Sequence, residues 1–103
     1  GAAALAGRLP PALLYLGLSR NDLFSAGATA LAGALPASLQ RIDVSNNWLE
    51  AAGLEALARS VPAGLRQLDL NANGLRQEDA QPLLLPLVQR GVEVLPTFLY
   101  QAQ

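Results

Sequence analysis

The stretch from Leu39 to Leu49, LQRIDVSNNWL, constrains this chain more than any other. It reads Leu39-x-x-Ile42-x-Val44-x-x-Asn47-x-Leu49. The same frame lies 26 residues earlier, in Leu13, Leu16, Leu18, Asn21 and Leu23, and 26 residues later, in Leu65, Leu68, Leu70, Asn73 and Leu75. Every position of the frame is filled in all three copies. Within each copy the alternation of apolar and polar residues predicts a short strand buried on one side. Units repeated this regularly stack, each burying the apolar side of its neighbour.

The other half of each unit repeats as well. Gly1, Gly27 and Gly53 share the 26-residue spacing, as do Leu5, Leu31, Leu57 and Leu83, and Leu9, Leu35, Val61 and Leu87. Apolar residues four apart, such as Leu31 and Leu35, sit on one face of a short helix. Pro10, Pro36 and Pro62 then stop each helix and turn the chain toward the next strand. Each unit is therefore expected to be a strand, a turn and a helix.

That unit is the signature of a leucine-rich repeat. The run Asn-x-Leu-x-x-x-Gly-x-x-x-Leu from Asn21 and again from Asn47 resembles the ribonuclease-inhibitor-like subfamily, over residues 1–90 or so. The element Leu-Pro-x-x-Leu (Leu9 to Leu13, Leu35 to Leu39) is also similar to bacterial leucine-rich-repeat effectors, whose repeats are usually shorter and lack helices. The resemblance implies an α/β solenoid of about three and a half repeats, with parallel strands on a concave face and helices on a convex face. Residues 1–103 are expected to form one domain, the C-terminal fragment of a longer array. Its repeat frames start at Leu13, Leu39 and Leu65, and its cap covers about residues 91–103.

Stacking assigns roles to the frame residues. Leu16, Ile42 and Leu68 should lie one above another, about 4.8 Å apart. Asn21, Asn47 and Asn73 should form a ladder whose amides satisfy the backbone of neighbouring turns. The frame fails in the last unit, where it falls on Gly91, Val94, Pro96, Leu99 and Gln101. An edge strand is expected around Val92–Leu95, with Leu95, Phe98, Leu99 and Tyr100 folded over it as a cap. In the preceding helix, Pro82 fits a helix start and Pro86 a kink or a shortening. Gly7 and Gly33 are placed inside helices, each at a cost of about 1 kcal/mol relative to Ala, where they allow close contact between neighbouring helices.

Composition removes several functions. There is no Cys and no His, which excludes disulfides, zinc sites and every Cys/His catalytic scheme. The formal net charge of -1 gives no electrostatic reason to expect nucleic acid or an anionic membrane. The apolar run Ala80 to Leu99 is broken by Arg90, Glu93 and three prolines, so it is no membrane span. No cofactor is expected. All basic residues are Arg, a composition that favours a GC-rich, bacterial gene.

Function is then expected on the outward positions of the strands and turns. Stacked in order, these are Tyr15, Arg41, Gln67 and Glu93; then Gly17, Asp43, Asp69 and Leu95; then Ser19, Ser45, Asn71 and Thr97. Arg20, Asn46 and Trp48 lie beside them at the strand exits. The partner-binding candidates are Tyr15, Arg20, Arg41, Asp43, Asn46, Trp48, Gln67 and Asp69. Trp48 has Asp22 and Gly74 as frame counterparts, so the repeat does not demand an aromatic there. It reads either as an anchor for a partner or as a ring lying flat on Leu49 and Leu75. Asp43 and Asp69 form a carboxylate pair, but no nucleophile or oxyanion donors accompany them, so the chain is expected not to be an enzyme.

The expected function is a protein-interaction module that binds a partner protein through the concave strand face. The alternatives are a structural capping or oligomerising segment, and the substrate-recognition arm of a ubiquitin ligase or other effector enzyme whose catalytic domain lies elsewhere. The uncapped apolar first half-repeat also implies self-association. The resemblance slightly favours a cytoplasmic setting, that of a host cell in the effector case, or an intracellular scaffold.

Overall fold

The computed structural model describes residues 9–10 and 12–100. Its elements run β1 (Tyr15–Gly17), α1 (Phe24–Ala32), β2 (Arg41–Asp43), α2 (Glu50–Ser60), β3 (Gln67–Asp69), α3 (Gln77–Gln89) and β4 (Glu93–Leu95), with a final 3₁₀ turn over Thr97–Leu99. The expected half-repeat at 1–8, with Gly7, and the last residues of the cap lie outside the described residues.

The four strands form one parallel sheet in chain order, β1-β2-β3-β4. Tyr15 pairs with Arg41, Arg41 with Gln67 and Gln67 with Glu93, so the register steps by the repeat of the sequence. Each strand buries its middle residue. Leu16, Ile42, Leu68 and Val94 are all buried, while the residues on either side face out or are half-buried. Parallel strands need a crossover, and α1, α2 and α3 supply it.

The helices bury one stripe each. Ala28, Leu31 and Ala32 of α1, Leu54 and Leu57 of α2, and Ala80, Leu84 and Leu87 of α3 join the strand residues in one continuous core. Each fully buried Leu, Ile or Val contributes about 1.5–3 kcal/mol. The α1–α2 contact depends on Gly53. A Cβ there would lie 3.2 Å from Leu49 Cβ, and 3.3 Å from Ala28 Cβ and Ser25 Cα. Gly33, expected inside a helix, is instead the residue after α1, and a Cβ there would meet only Ala30 O at 3.8 Å. Close helix contact is therefore the work of Gly53 and not of Gly33.

Both prolines of α3 lie inside an unbroken helix, contrary to the expectation that Pro82 starts it and Pro86 shortens it. Each proline removes one bond to the carbonyl four residues back. Pro82 and Pro86 are themselves four apart and both are exposed, so the missing bonds fall on the solvent side, where water serves the freed carbonyls. The buried stripe is untouched. The edge strand covers Glu93–Leu95, with Val92 buried just before it, and Leu99 seals the end at 1 % exposure. Among the described residues no helix is long and apolar enough to cross a membrane.

Candidate functional site

The turns that follow the strands are built from left-handed backbone. Arg20, Asp22 and Phe24 in the first turn, Asn46, Trp48 and Glu50 in the second, and Ala72 and Gly74 in the third all have positive φ. Such residues cost energy unless glycine, so each turn must be held from outside. The asparagines hold the first two. Asn47 Oδ1 accepts the N–H groups of Asn21 (2.7 Å) and Leu23 (3.3 Å), while its Nδ2 donates to Leu18 O, Val44 O and Ser45 O at 2.7, 3.0 and 3.1 Å. Asn73 repeats this one turn later, accepting from Asn47 N and Leu49 N and donating to Val44 O, Leu70 O and Asn71 O. Asn21 departs from the expected ladder. It is exposed, and among the described residues its Nδ2 donates to Ser19 O in its own turn, since each asparagine serves the turn before it and no described turn precedes this one.

On this scaffold the outward residues of the strands form an ordered row. The Arg41 guanidinium carbon lies 5.0 Å from the centroid of the Tyr15 ring. Arg41 Nε donates to Gln67 Oε1 at 2.7 Å, and Gln67 Nε2 donates to Glu93 Oε1 at 2.6 Å. The row thus runs ring, guanidinium, amide, carboxylate across all four strands. Gly17 makes room at its start, since a Cβ there would stand 2.9 Å from Tyr15 Oη. The frame position filled by Asp43 and Asp69 holds glycine in the first unit, and the Tyr15 ring lies over it. The ring occupies the space.

Asp43 and Asp69 do stand on adjacent rungs. Their carboxylates are turned to local backbone. Asp43 Oδ1 accepts from Ser45 N (3.0 Å) and Ser45 Oγ (2.7 Å), and Asp69 Oδ1 accepts from Asn71 N (3.0 Å) and Asn71 Nδ2 (2.8 Å). Both are half-buried and shape the strand exits. Ser45, expected on the outer face, is buried at 8 %, between Asp43 and the Ser19 hydroxyl 3.0 Å away. Among the described residues no group of three or more His, Cys, Asp or Glu is placed to hold a metal.

Of the other candidates, Arg20 and Asn46 are exposed at equivalent turn positions, each with its N–H bonded to the next turn (Ser45 O and Asn71 O). Among the described residues Trp48 is the most exposed large apolar side chain, at 59 %. It is open to solvent over more than half of its surface, while its neighbour Leu49 is fully buried. Two residues escaped sequence reasoning. Leu14 (56 %) and Phe24 (51 %) are exposed in the first unit. The signal was present in the frame, because their counterparts are Gln40 and Arg66, and Glu50 and Arg76.

A family model described as Leucine Rich repeat matches residues 36–58, which span β2 and most of α2. This segment is similar to a leucine-rich repeat. Leucine-rich repeats in general are protein–protein interaction modules, and repeat proteins present extended surfaces for that purpose. No curated protein matches the chain. The matched repeat contains Arg41, Asp43, Asn46, Asn47 and Trp48, so the scaffold asparagine and several of the candidate contact residues belong to one unit.

Proposed function

We propose that the chain is a non-enzymatic protein-interaction module that binds a partner protein through the outward face of its sheet. The observation that carries this reading is the row Tyr15–Arg41–Gln67–Glu93. Its side chains are exposed or half-exposed yet already tied to one another. Ordering long polar side chains before binding lowers the entropy lost on association. Trp48 beside the row supplies the aromatic area in which binding energy concentrates. The repeat spacing favours a ribonuclease-inhibitor-like solenoid of about three and a half units, one domain within a longer array. On that reading the sheet face is concave. If the module serves an effector or a ubiquitin ligase, it selects the substrate and a separate domain does the chemistry.

The experiment is affinity capture from the source organism or its host with native protein and with an Arg41→Ala/Trp48→Gly variant, with captured proteins identified by mass spectrometry. The reading expects a protein retained by the native chain and lost by a variant of unchanged melting temperature. Equal retention by the two sinks it.

A second reading, self-association through the first unit, is favoured by one observation. Among the described residues strand β1 is a sheet edge, and Leu14 and Phe24 of the same unit expose apolar area. Sedimentation across a dilution series tests it, and a monomer at every concentration removes it.

A further inference from the structure

The pattern of main-chain bonds between neighbouring units stops within the third turn. Leu18 N, Val44 N and Leu70 N donate alike to Asp43 O, Asp69 O and Leu95 O, so β4 continues the sheet to this point. In the first two turns the next donors are taken as well. Arg20 N and Asn46 N donate to Ser45 O and Asn71 O, while the N–H pairs of Asn21 with Leu23 and Asn47 with Leu49 go to the asparagine side chain of the following unit. In the third turn the equivalent N–H groups of Ala72, Asn73 and Leu75 have no partner among the described residues.

The cause is the residue at the ladder position. Position 99 is Leu, which has no acceptor, and the chain leaves the strand direction at Pro96 into the 3₁₀ turn. The divergence opens a cavity of about 290 Å³ whose lining includes Leu70, Ala72, Asn73, Leu75, Pro96 and Leu99. An apolar wall with a few convergent, unused donors is the usual make-up of a ligand site. Asn73 is itself only 2 % exposed, so an unused N–H there is costly and an incoming acceptor gains by relieving it.

We infer that this cavity binds an asparagine-bearing peptide segment of a partner protein. The side-chain carbonyl oxygen of that asparagine takes the N–H groups of Asn73 and Leu75, and an adjoining apolar side chain packs against Leu75 and Pro96. The occupant is read from the molecule itself, since Asn47 and Asn73 fill the same place over the two preceding turns, each followed two residues later by Leu. A neutral amide is the group that Asn47 and Asn73 themselves present in that place, so it is the expected occupant over a carboxylate. The site lies on the cap and is separate from the row on the sheet face, so each stands or falls alone.

The test is titration of ¹⁵N-labelled protein with the capped peptide acetyl-Asn-Ala-Leu-amide, followed by amide resonances, against the peptides with Leu or Asp in place of Asn. The Asn peptide is expected to move the Asn73 and Leu75 amide protons downfield, saturably, and to bind about tenfold more tightly than the Leu peptide. Leu99→Asn, which supplies the missing amide from within, should abolish the response. If that variant does not fold, the comparison of peptides on the native chain decides alone. No saturable change at residues 72–75, or equal binding of the Leu peptide, overturns the site. Equal binding of the Asp peptide overturns the neutral occupant.

Discussion

Asn73 Oδ1 accepts the backbone N–H of Asn47 at 2.9 Å, so the side chain of one turn completes the main chain of the turn before it. The same relationship holds between Asn47 and Asn21 at 2.7 Å. Stacking is thereby made specific. Apolar side chains alone would tolerate a slip between units, whereas each buried amide fits only the turn at its own register.

This relationship ranks three chemically identical substitutions. Asn47→Ala and Asn73→Ala each strip several buried backbone groups of their partners, and each should cost about 3 kcal/mol or more of unfolding free energy. Asn21→Ala removes one exposed local bond and should cost no more than about 0.5 kcal/mol. Urea titration of the three variants measures the order. Similar losses at all three positions would contradict the ladder as described.

The helix layer makes an opposite pair of predictions for glycine. Gly53→Ala gains helix propensity worth about 1 kcal/mol but drives a methyl into Leu49, Ala28 and Ser25 at 3.2–3.3 Å. Part of that contact is backbone, which yields little, so a net loss of about 1 kcal/mol is expected. Gly33→Ala meets only Ala30 O, at an ordinary contact distance of 3.8 Å, and should be neutral or slightly stabilising. Thermal unfolding separates the two. A stabilised Gly53→Ala would show that α1 can move aside.

Trp48 has a φ of 55°, where its frame counterpart is Gly74 at 68°. Trp48→Gly relieves left-handed strain of about 1–2 kcal/mol and gives back about 1 kcal/mol in the entropy of the unfolded chain. The variant should therefore melt within a few degrees of the native protein. A large drop would mean that the indole is part of the core, and would return Trp48 to a structural role.

Phe24 stands where the next two units carry Glu50 and Arg76. Glu50 adopts the same left-handed backbone, with φ 58° against 56°. Phe24→Glu is thus a substitution the turn already accommodates, and it should weaken any self-association of the first unit while leaving stability unchanged. Sedimentation of native and variant protein at matched concentrations reads the effect. An association constant that does not move assigns the contact to other residues.

The periodic part of this structure was legible in the sequence because its causes are periodic. Leu16, Ile42 and Leu68 recur since each strand must bury its middle residue, and the unit spacing then gave the register directly. What escaped was aperiodic. The uninterrupted α3 depends on two prolines falling on one solvent face, which the frame does not encode. Ser45 looked outward by alternation, yet the turn of Asp43 and the neighbouring Ser19 enclose it. Leu14 and Phe24 were missed because an exposed apolar side chain departs from the pattern only when compared with its counterparts. The link from Arg41 to Gln67 needed side-chain directions that spacing does not supply.

Side-chain footprinting shows whether the outward sheet face meets a partner protein. Tyr15 and Trp48 are 48 % and 59 % exposed, so hydroxyl radicals oxidise both readily in the free protein. With the captured partner bound, the account predicts that oxidation of Tyr15 and Trp48 falls together while that of Leu85 on α3 is unchanged. Undiminished oxidation of both aromatics, with protection at Leu85, would place the partner on the helices and contradict the account.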